Sequence, residues 1–444
     1  MTSVHDIGKS LESVHNQSIS AAQYVAKGDF LTTETSALFP SVQRETNEHF
    51  TTSKNFSFDI TTKSIEAHHR RWVQHLCANP NFKVAVVGGG IYGCHFAYVF
   101  MKACEEVAAS GINITNAKLT IFEKDETLFS QASGKNSFRI HKGFHYPRSG
   151  ATRRMCYDDH RNFCRLYPSF FRTLKINSES PAFAKIFAVA KGQDTKLDYE
   201  AFRNLYAGSI YQEGSSMWDE IECELWSEEI SNAPDAASSR KLMEHLGFNV
   251  DLIDGAFLVQ VEPIMFADVP RKWFSELFIK SKFIEMNLGT RVDRSDVQVS
   301  HNGDLLIHGN SFNLALNCTY NQAIPMQPQN HVAFYDICIS IIVAEKNDHG
   351  GMPALSFGFF DGPFPSLEPY DFANKMNLPE ELKNFQDKNL FQIFDVELSS
   401  IGQCGTPEEA YKMLANWETK KCEDSKDFQI IVQKIWDKCE KYFP

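Results

Sequence analysis

Three features of the 444-residue sequence predict an α/β fold. The apolar run KVAVV, which starts at Lys83, leads into three glycines and then into a stretch with helical spacing. The apolar run KLTIFEK follows and contains Glu123 near its end. Because strand, glycine turn, helix and strand form one βαβ unit, we expect a buried parallel sheet here. Later, HVAFYDICISIIVAEK (331–346) has the alternation of one long strand, which is typical of an antiparallel sheet with one wet face.

The order of these patterns along the chain predicts two interleaved domains. SIEAHHRRWVQHLC (64–77) predicts an amphipathic helix before the first strand, and DLLIHGNSFNLALNCTYN (304–321) predicts a hairpin and then a strand that returns to the parallel sheet. We therefore assign residues 80–155 and 275–330 to a discontinuous Rossmann-type dinucleotide-binding domain, and residues 156–274 and 331–404 to a β-rich (α+β) substrate domain. Residues 1–60, rich in Ser, Thr, Asn and Gln, predict a flexible extension, and the charged, amphipathic residues 405–444 predict a helical tail.

Charge and cysteine usage exclude several classes of function. The formal net charge of −12 argues against a nucleic-acid-binding surface, which needs a basic footprint. The 11 cysteines show neither a CxxC pair nor zinc-like spacing, so no metal site is expected. The uncharged stretch 84–101 is interrupted by three glycines and by His95, which favours strand, turn and helix over a membrane span. With no apolar signal at the N-terminus, a cytoplasmic location is predicted.

The glycine turn carries the first chemical motif. Gly88, Gly90 and Gly93 satisfy GxGxxG directly after a strand and directly before a helix. In this pattern the first glycine permits the tight turn, the second lets the backbone approach a pyrophosphate, and the third lets helix pack closely on strand. The helix start offers N–H groups to phosphate, and an acidic residue at the end of the second strand accepts hydrogen bonds from ribose hydroxyls and disfavours a 2′-phosphate. The cofactor-binding candidates are therefore Gly88, Gly90, Ile91, Tyr92, Gly93, Glu123 and Lys124.

A second motif follows the βαβ unit. The segment SGKNSFRIHKGFHYPRS (133–149) resembles the one that follows the first βαβ unit in flavoproteins of the D-amino-acid-oxidase-like family. It is nearest in motif to the L-2-hydroxyglutarate dehydrogenase branch, where a similar S-G-x-N-S-x-x-I-H-x-G stretch lies along the flavin. The resemblance extends more thinly to NCTYN (317–321) and DGPFPS (361–366). It implies FAD as the cofactor, and Ser133, Asn136 and Ser137 as polar groups on its pyrophosphate or ring edge.

The same segment contains the catalytic candidates. His141 and His145 are able to act as bases near a flavin, although two structural histidines with satisfied hydrogen bonds explain them equally well. Arg148 is suited to bind a substrate carboxylate through both of its terminal nitrogens, as are the nearby Arg153 and Arg154. A run of basic residues is more often a solvated face, and that alternative remains open.

These observations predict an FAD-dependent oxidoreductase that oxidises the α-carbon of a small, carboxylate-bearing hydroxy acid or amino acid by hydride transfer to flavin. The sequence departs from the resemblance at its end, because such flavoproteins return with a strand and a glycine-containing loop, whereas no glycine follows Gly405 here. Two alternatives therefore remain: a flavin-binding scaffold without catalytic activity, and an NAD-dependent dehydrogenase that uses the same glycine turn.

Overall fold

The structure is a computed structural model with helices and strands throughout the part of the chain it describes. That part comprises residues 23–25, 65–135, 139–171, 185–192, 195–208, 221–227, 241, 243–244, 247–259, 265–301, 304–319, 335–344, 356–360, 362, 364–370, 390–395, 397–419 and 426–442. Its helices are α1 (Ile65–Ala78), α2 (Ile91–Ala109), α3 (Gly150–Leu166), α4 (Tyr199–Ala207), α5 (Asp268–Lys280), α6 (Pro407–Thr419) and α7 (Lys426–Tyr442).

The strands of the described residues fall into four sheets. They are β1 (Gln23–Val25), β2 (Lys83–Val87), β3 (Lys118–Phe122), β4 (Lys185–Ala190), β5 (Ile221–Ser227), β6 (Ile253–Val259), β7 (Ile284–Asn287), β8 (Val297–Val299), β9 (Leu305–Ile307), β10 (Asn310–Phe312), β11 (Leu314–Asn317), β12 (Tyr335–Cys338), β13 (Ile341–Ala344), β14 (Ser356–Phe359), β15 (Pro365–Pro369), β16 (Leu390–Asp395) and β17 (Ser400–Cys404). Two sheets are large: a four-stranded sheet in the order β11-β2-β3-β7 and a seven-stranded sheet in the order β13-β16-β15-β14-β4-β6-β5.

The four-stranded sheet is parallel throughout, which confirms the predicted α/β fold with a Rossmann-type unit. After their first residues, β2 and β3 are buried, as their continuous apolar runs predicted. The hairpin β9–β10 precedes β11, and β11 returns to pair with β2, also as predicted.

Helix α2 covers this sheet, and helix α1 packs on α2 through an apolar face. Trp72 and Leu76 lie four residues apart on one face of α1 and are both buried. Trp72 meets Phe100 of α2 edge to face, with 5.2 Å between ring centroids. Helix α2 ends at Ala109 with Ser110 as its C-cap, and Gly111 follows at φ +86°, the left-handed conformation that commonly terminates a helix.

The seven-stranded sheet is mixed, with β14 and β4 parallel and the other pairs antiparallel. The prediction of one long strand over residues 331–346 was wrong. The segment forms β12, which pairs with β1 and β17, and β13, which pairs with β16 in the mixed sheet. The break coincides with an irregularity in the ladder, since the β12–β17 register shifts between Ile337 and Cys338, close to the point where the chain passes from one sheet to the other.

A cluster of charged side chains lies inside the mixed sheet. Glu368 Oε2 accepts from Arg139 Nε at 3.1 Å and from the Ser356 hydroxyl, and Glu368 Oε1 pairs with Lys185. All four side chains are buried. Burial alone raises the pKa of Glu368, but the adjacent Lys185 and Arg139 outweigh it and hold that pKa below its usual value.

The two C-terminal helices pack on different sheets. Ala410 of α6 is buried against Ile337 of β12 and Cys404 of β17. Ile435 of α7 is buried against the mixed sheet, and Lys438 Nζ pairs with the buried Asp395 Oδ2 at 3.1 Å. The C-terminal segment therefore folds as helices against the body of the protein. None of the described helices is long and apolar enough to cross a membrane.

Candidate functional site

A cleft of about 860 Å³, including its open mouth, lies at the carboxyl ends of β2, β3 and β11. In open α/β sheets this edge is where dinucleotides bind. Its floor is the turn after β2, and its walls come from residues 122–124, 130–133, 290–293 and 318–319. The last wall is Tyr411 of α6.

The glycine turn has no room for side chains. Gly88 has φ +108°, and a Cβ there would lie 2.5 Å from the Cys318 carbonyl oxygen. A Cβ on Gly93 would lie 2.0 Å from the Gly88 carbonyl oxygen and 3.0 Å from Val86. These contacts keep β11, the turn and α2 close together, so the helix start faces the cleft directly.

The N-terminus of α2 lies beside polar groups that suit a phosphate. Gly90 is the N-cap and supplies no side chain for capping. Instead, Ser133 Oγ, from the loop after β3, accepts from the Ile91 N–H at 3.0 Å. A Cβ on Gly90 would approach Ser133 Oγ to 3.0 Å, so glycine keeps this space open. A backbone donor at a helix N-terminus beside a hydroxyl fits a phosphate group.

Glu123 supplies a carboxylate at the other side of the floor. It is buried, with 7% of its surface exposed, and it lines the cleft beside Lys124. Its Oε2 accepts from the Gly89 N–H at 2.6 Å, and its Oε1 accepts from the Asp125 N–H at 3.0 Å. Burial raises the pKa of Glu123 more than these two hydrogen bonds lower it. The backbone therefore fixes the carboxylate in position to accept from ribose hydroxyls.

Tyr411 and Arg291 are among the cleft residues that the sequence did not predict. The Arg291 guanidinium lies 5.9 Å from the centre of the Tyr411 ring, and its Nε pairs with Asp293 Oδ1 at 2.9 Å. Burial raises the pKa of Tyr411 to about 12, with Asp293 and other nearby acids adding to the effect and Arg291 opposing it. No sequence spacing relates Tyr411 to the glycine turn, because the contact arises only when α6 docks.

The structure brings five of the proposed cofactor residues together. Gly88, Gly90, Glu123, Lys124 and Ser133 line the cleft. Ile91 presents its N–H to Ser133 and Gly93 packs under Gly88, whereas Tyr92 is 63% exposed on the first turn of α2 and does not line the cleft. Asn136 and Ser137 lie outside the described residues.

The catalytic candidates form a separate group that does not line this cleft. The rings of His141 and His145 are in contact, with centroids 4.2 Å apart, and His145 meets Tyr146 at the same separation. Arg148 is exposed close by in the chain. The buried Arg153 donates from Nη1 to the carbonyls of Tyr146 and Pro147, so this arginine braces the loop.

Within the described residues, no group of three or more His, Cys, Asp or Glu side chains is arranged to hold a metal ion. Cys318, which lines the cleft, has its pKa raised to about 12 by burial. It is therefore a neutral thiol at physiological pH and a poor nucleophile.

Comparison with known proteins finds fungal relatives that are named as FAD-dependent monooxygenases. The chain is 28% identical over 304 residues to the FAD-dependent monooxygenase FPY4 of Fusarium mangiferae, a match that covers 68% of this chain and 64% of that protein. It is 27% identical over 370 residues to the FAD-dependent monooxygenase kojA of Aspergillus flavus, covering 81% of this chain and 70% of that one. The matched region thus spans less than two thirds of the length of the Fusarium protein. No family model matches the chain.

Among solved structures, L-proline dehydrogenase from P. horikoshii is 12% identical, with a TM-score of 0.42 and coverage of 77% of this chain and 76% of that one. A form of L-amino acid deaminase from Proteus vulgaris that lacks its specific insertion is also 12% identical, with a TM-score of 0.36 and coverage of 70% and 78%.

Proposed function

We propose that this chain is an FAD-dependent oxidoreductase that binds FAD in the cleft above the glycine turn. The observation that carries the proposal is the pair of polar groups held on the glycine turn. Ser133 Oγ accepts from the Ile91 N–H at the N-terminus of α2, and the Glu123 carboxylate accepts from the Gly89 N–H, and both groups line one cleft at the carboxyl edge of a parallel sheet. A phosphate-binding helix start close to a ribose-binding acid matches a pyrophosphate joined to a ribose. The names of the two fungal relatives support FAD in particular.

Each part of the cofactor has residues suited to hold it. The pyrophosphate would meet the N-terminus of α2 and the Ser133 hydroxyl, where Gly90 leaves room for a close approach. The ribose hydroxyls would donate to Glu123, whose charge also repels the 2′-phosphate of NADP. The bound flavin would supply the redox chemistry, and the protein would supply binding, orientation and proton handling.

For the reaction, we propose oxidation of the α-carbon of a small hydroxy acid or amino acid. In this reaction His141 or His145 accepts the proton of the substrate hydroxyl or amino group through a neutral ring nitrogen. Arg148 binds the substrate carboxylate, for which its planar guanidinium is well matched. The support is the contact between the two imidazoles and the exposed arginine close by, on the segment that leads away from Ser133.

A second candidate, monooxygenation, is favoured by the names of the two fungal relatives. Both reactions use the same FAD cleft and differ in the fate of oxygen. An oxygenation transfers one atom of O₂ to the product, so incorporation of labelled oxygen from ¹⁸O₂ identifies it. A simple oxidation transfers no oxygen atom from O₂ to the product. In that case the substrate reduces the flavin even when oxygen is absent.

The first experiment is the visible spectrum of the purified chain before and after acid precipitation. We expect a flavin spectrum, with FAD released into the supernatant. Anaerobic addition of hydroxy acids and amino acids should then bleach the flavin with one of them. A colourless protein that also takes up no added FAD would contradict the proposal. Quenching of its tryptophan fluorescence by NAD⁺ would then favour the nicotinamide alternative.

The histidines are tested by two variants, His141→Asn and His145→Asn. Loss of a positioned base should slow flavin reduction by about 100-fold or more for one of the two. The affinity for FAD should stay unchanged, because neither ring lines the cleft. His301→Asn is a matched control at an exposed turn. Reduction at the wild-type rate in both variants would remove the histidines from the mechanism.

A further inference from the structure

The C-terminal helix α6 contributes one side chain to the cleft. Among the residues that line the cleft, Tyr411 is the only one that follows Thr319 in the chain. Its ring contacts Arg291, and the carboxylates of Glu123 and Asp293 are near enough to affect its pKa. Because Glu123 marks the ribose position in this type of fold, Tyr411 stands at the adenosine half of the cleft.

Packing fixes α6 in this position. Ala410, next to Tyr411, is fully buried against β12 and β17. Met413 packs so closely on β17 that a Cβ on Gly402 would lie 2.6 Å from its sulfur. The helix start is capped, since the Glu409 N–H donates to Thr406 Oγ1 at 3.2 Å and Glu409 Oε2 accepts from the Gly405 N–H at 3.0 Å. Tyr411 is therefore held at the cleft by a docked, capped helix.

We propose that Tyr411 is an FAD-binding residue whose ring covers the adenosine half of the cofactor, with Arg291 beside it. The inference rests on the proposed FAD site. Aromatic faces stack on nucleobases of any kind, and an arginine next to the ring adds a second flat group that favours the same plane.

The electrostatic environment suits this role. The raised pKa of Tyr411, about 12, keeps the phenol neutral at physiological pH. A neutral ring does not repel the negatively charged cofactor, whereas a third charge beside Glu123 and Asp293 would. In this arrangement helix α6 of the C-terminal segment contacts the adenosine half of the cofactor through Tyr411.

The test compares Tyr411→Ala, Tyr411→Phe and the control Lys412→Ala, whose side chain is the exposed neighbour on the same helix. The dissociation constants of flavin-stripped protein for FAD and FMN are measured by flavin fluorescence, and that for ADP by competition with FAD. Tyr411→Ala should weaken FAD and ADP binding by about tenfold or more. Tyr411→Phe should stay within about twofold of wild type, since the stacking face remains.

FMN lacks the adenosine half, so its affinity should be the same in all four proteins. Unchanged FAD binding in Tyr411→Ala would overturn the inference and leave the proposed function standing. Equal losses for FAD and FMN would also overturn it, because the tyrosine would then act through the fold. A wild-type chain that binds no FAD would overturn both proposals. Should Tyr411→Ala fail to fold, Tyr411→Leu keeps an apolar contact without the aromatic face and carries the same expectation.

Discussion

The two large sheets bury their interiors by different means. In the parallel sheet, β2 and β3 are buried through apolar side chains with Thr120 as the exception, and the carboxylate of Glu123 is held by backbone N–H groups at the sheet edge. In the mixed sheet, Glu368 lies inside the sheet between two cations. In the first arrangement the partners of Glu123 lie 2 and 34 residues away, within one βαβ unit. The second depends on partners 183 and 229 residues away from Glu368.

The largest expected effect comes from removing the central charge of the mixed sheet. Glu368→Gln leaves Lys185 and Arg139 buried without their carboxylate partner, which should cost roughly 3–5 kcal/mol of unfolding free energy. The measurement is denaturant unfolding at neutral pH. Glu285→Gln is the control, because the Lys118–Glu285 pair is nearly half exposed and should contribute less than about 1 kcal/mol. Equal losses of unfolding free energy in the two variants would show that the buried Glu368 cluster stabilises the chain no more than an exposed ion pair does.

The carboxylate of Glu368 should also make the stability of the chain depend on pH. The pKa of Glu368 lies below its usual value of 4.5 in the folded chain, because Lys185 and Arg139 outweigh the effect of burial. Its contribution is therefore complete above about pH 4.5 and is lost as the pH falls through the lower, folded value. The stability gap between wild type and Glu368→Gln should narrow below about pH 4.5. A gap that stays constant with pH would show that the carboxylate charge is not what stabilises the sheet.

The parallel-sheet half is most sensitive at Gly93. Gly93→Ala places a Cβ 2.0 Å from the Gly88 carbonyl oxygen, so α2 must move away from β2. We expect a loss of about 1–3 kcal/mol in thermal or denaturant unfolding. Gly150→Ala is the control, because a Cβ there meets only Arg153 at an ordinary 3.7 Å. A Gly93→Ala chain as stable as the control would mean that the helix does not pack as closely as described.

The smallest effect is expected where the C-terminal helix meets the mixed sheet. Lys438→Met removes the cation from the buried Asp395, which keeps its bonds to the Glu397 and Leu398 N–H groups. Because those bonds remain, the loss should be about 1–2 kcal/mol. Lys434→Met, an exposed position on α7, is the matched control. Thermal unfolding of the two variants tests whether α7 is anchored at this contact.

The contrast between the sheets also explains what the sequence was able to predict. The unit β2–α2–β3 and the return of β11 were predicted because apolar runs, glycine spacing and helical periodicity are local signals. The placement of Ser133 near the turn came from a resemblance in a contiguous segment. Each of these signals lies in a short stretch of sequence or in a motif of fixed spacing, although β11 itself pairs with β2 from far along the chain.

Features that depend on tertiary packing were not predicted. The Glu368 cluster and the contact of Tyr411 with the cleft join residues far apart in the chain. The division of residues 331–346 into β12 and β13 depends on which strands lie alongside, since the alternation itself is continuous. His141 and His145 contact each other and do not line the cleft. Their catalytic role stays a prediction.

The position of the cofactor is tested by titrating the flavin-stripped chain with FAD, in wild type, Gly90→Ala and Gly150→Ala. We expect one FAD bound per wild-type chain. Binding should be at least about tenfold weaker in Gly90→Ala, where a methyl group blocks the approach of the pyrophosphate to the turn beside Ser133. Gly150→Ala should bind as wild type does. Equal FAD affinity in all three proteins would show that the cofactor lies outside this cleft.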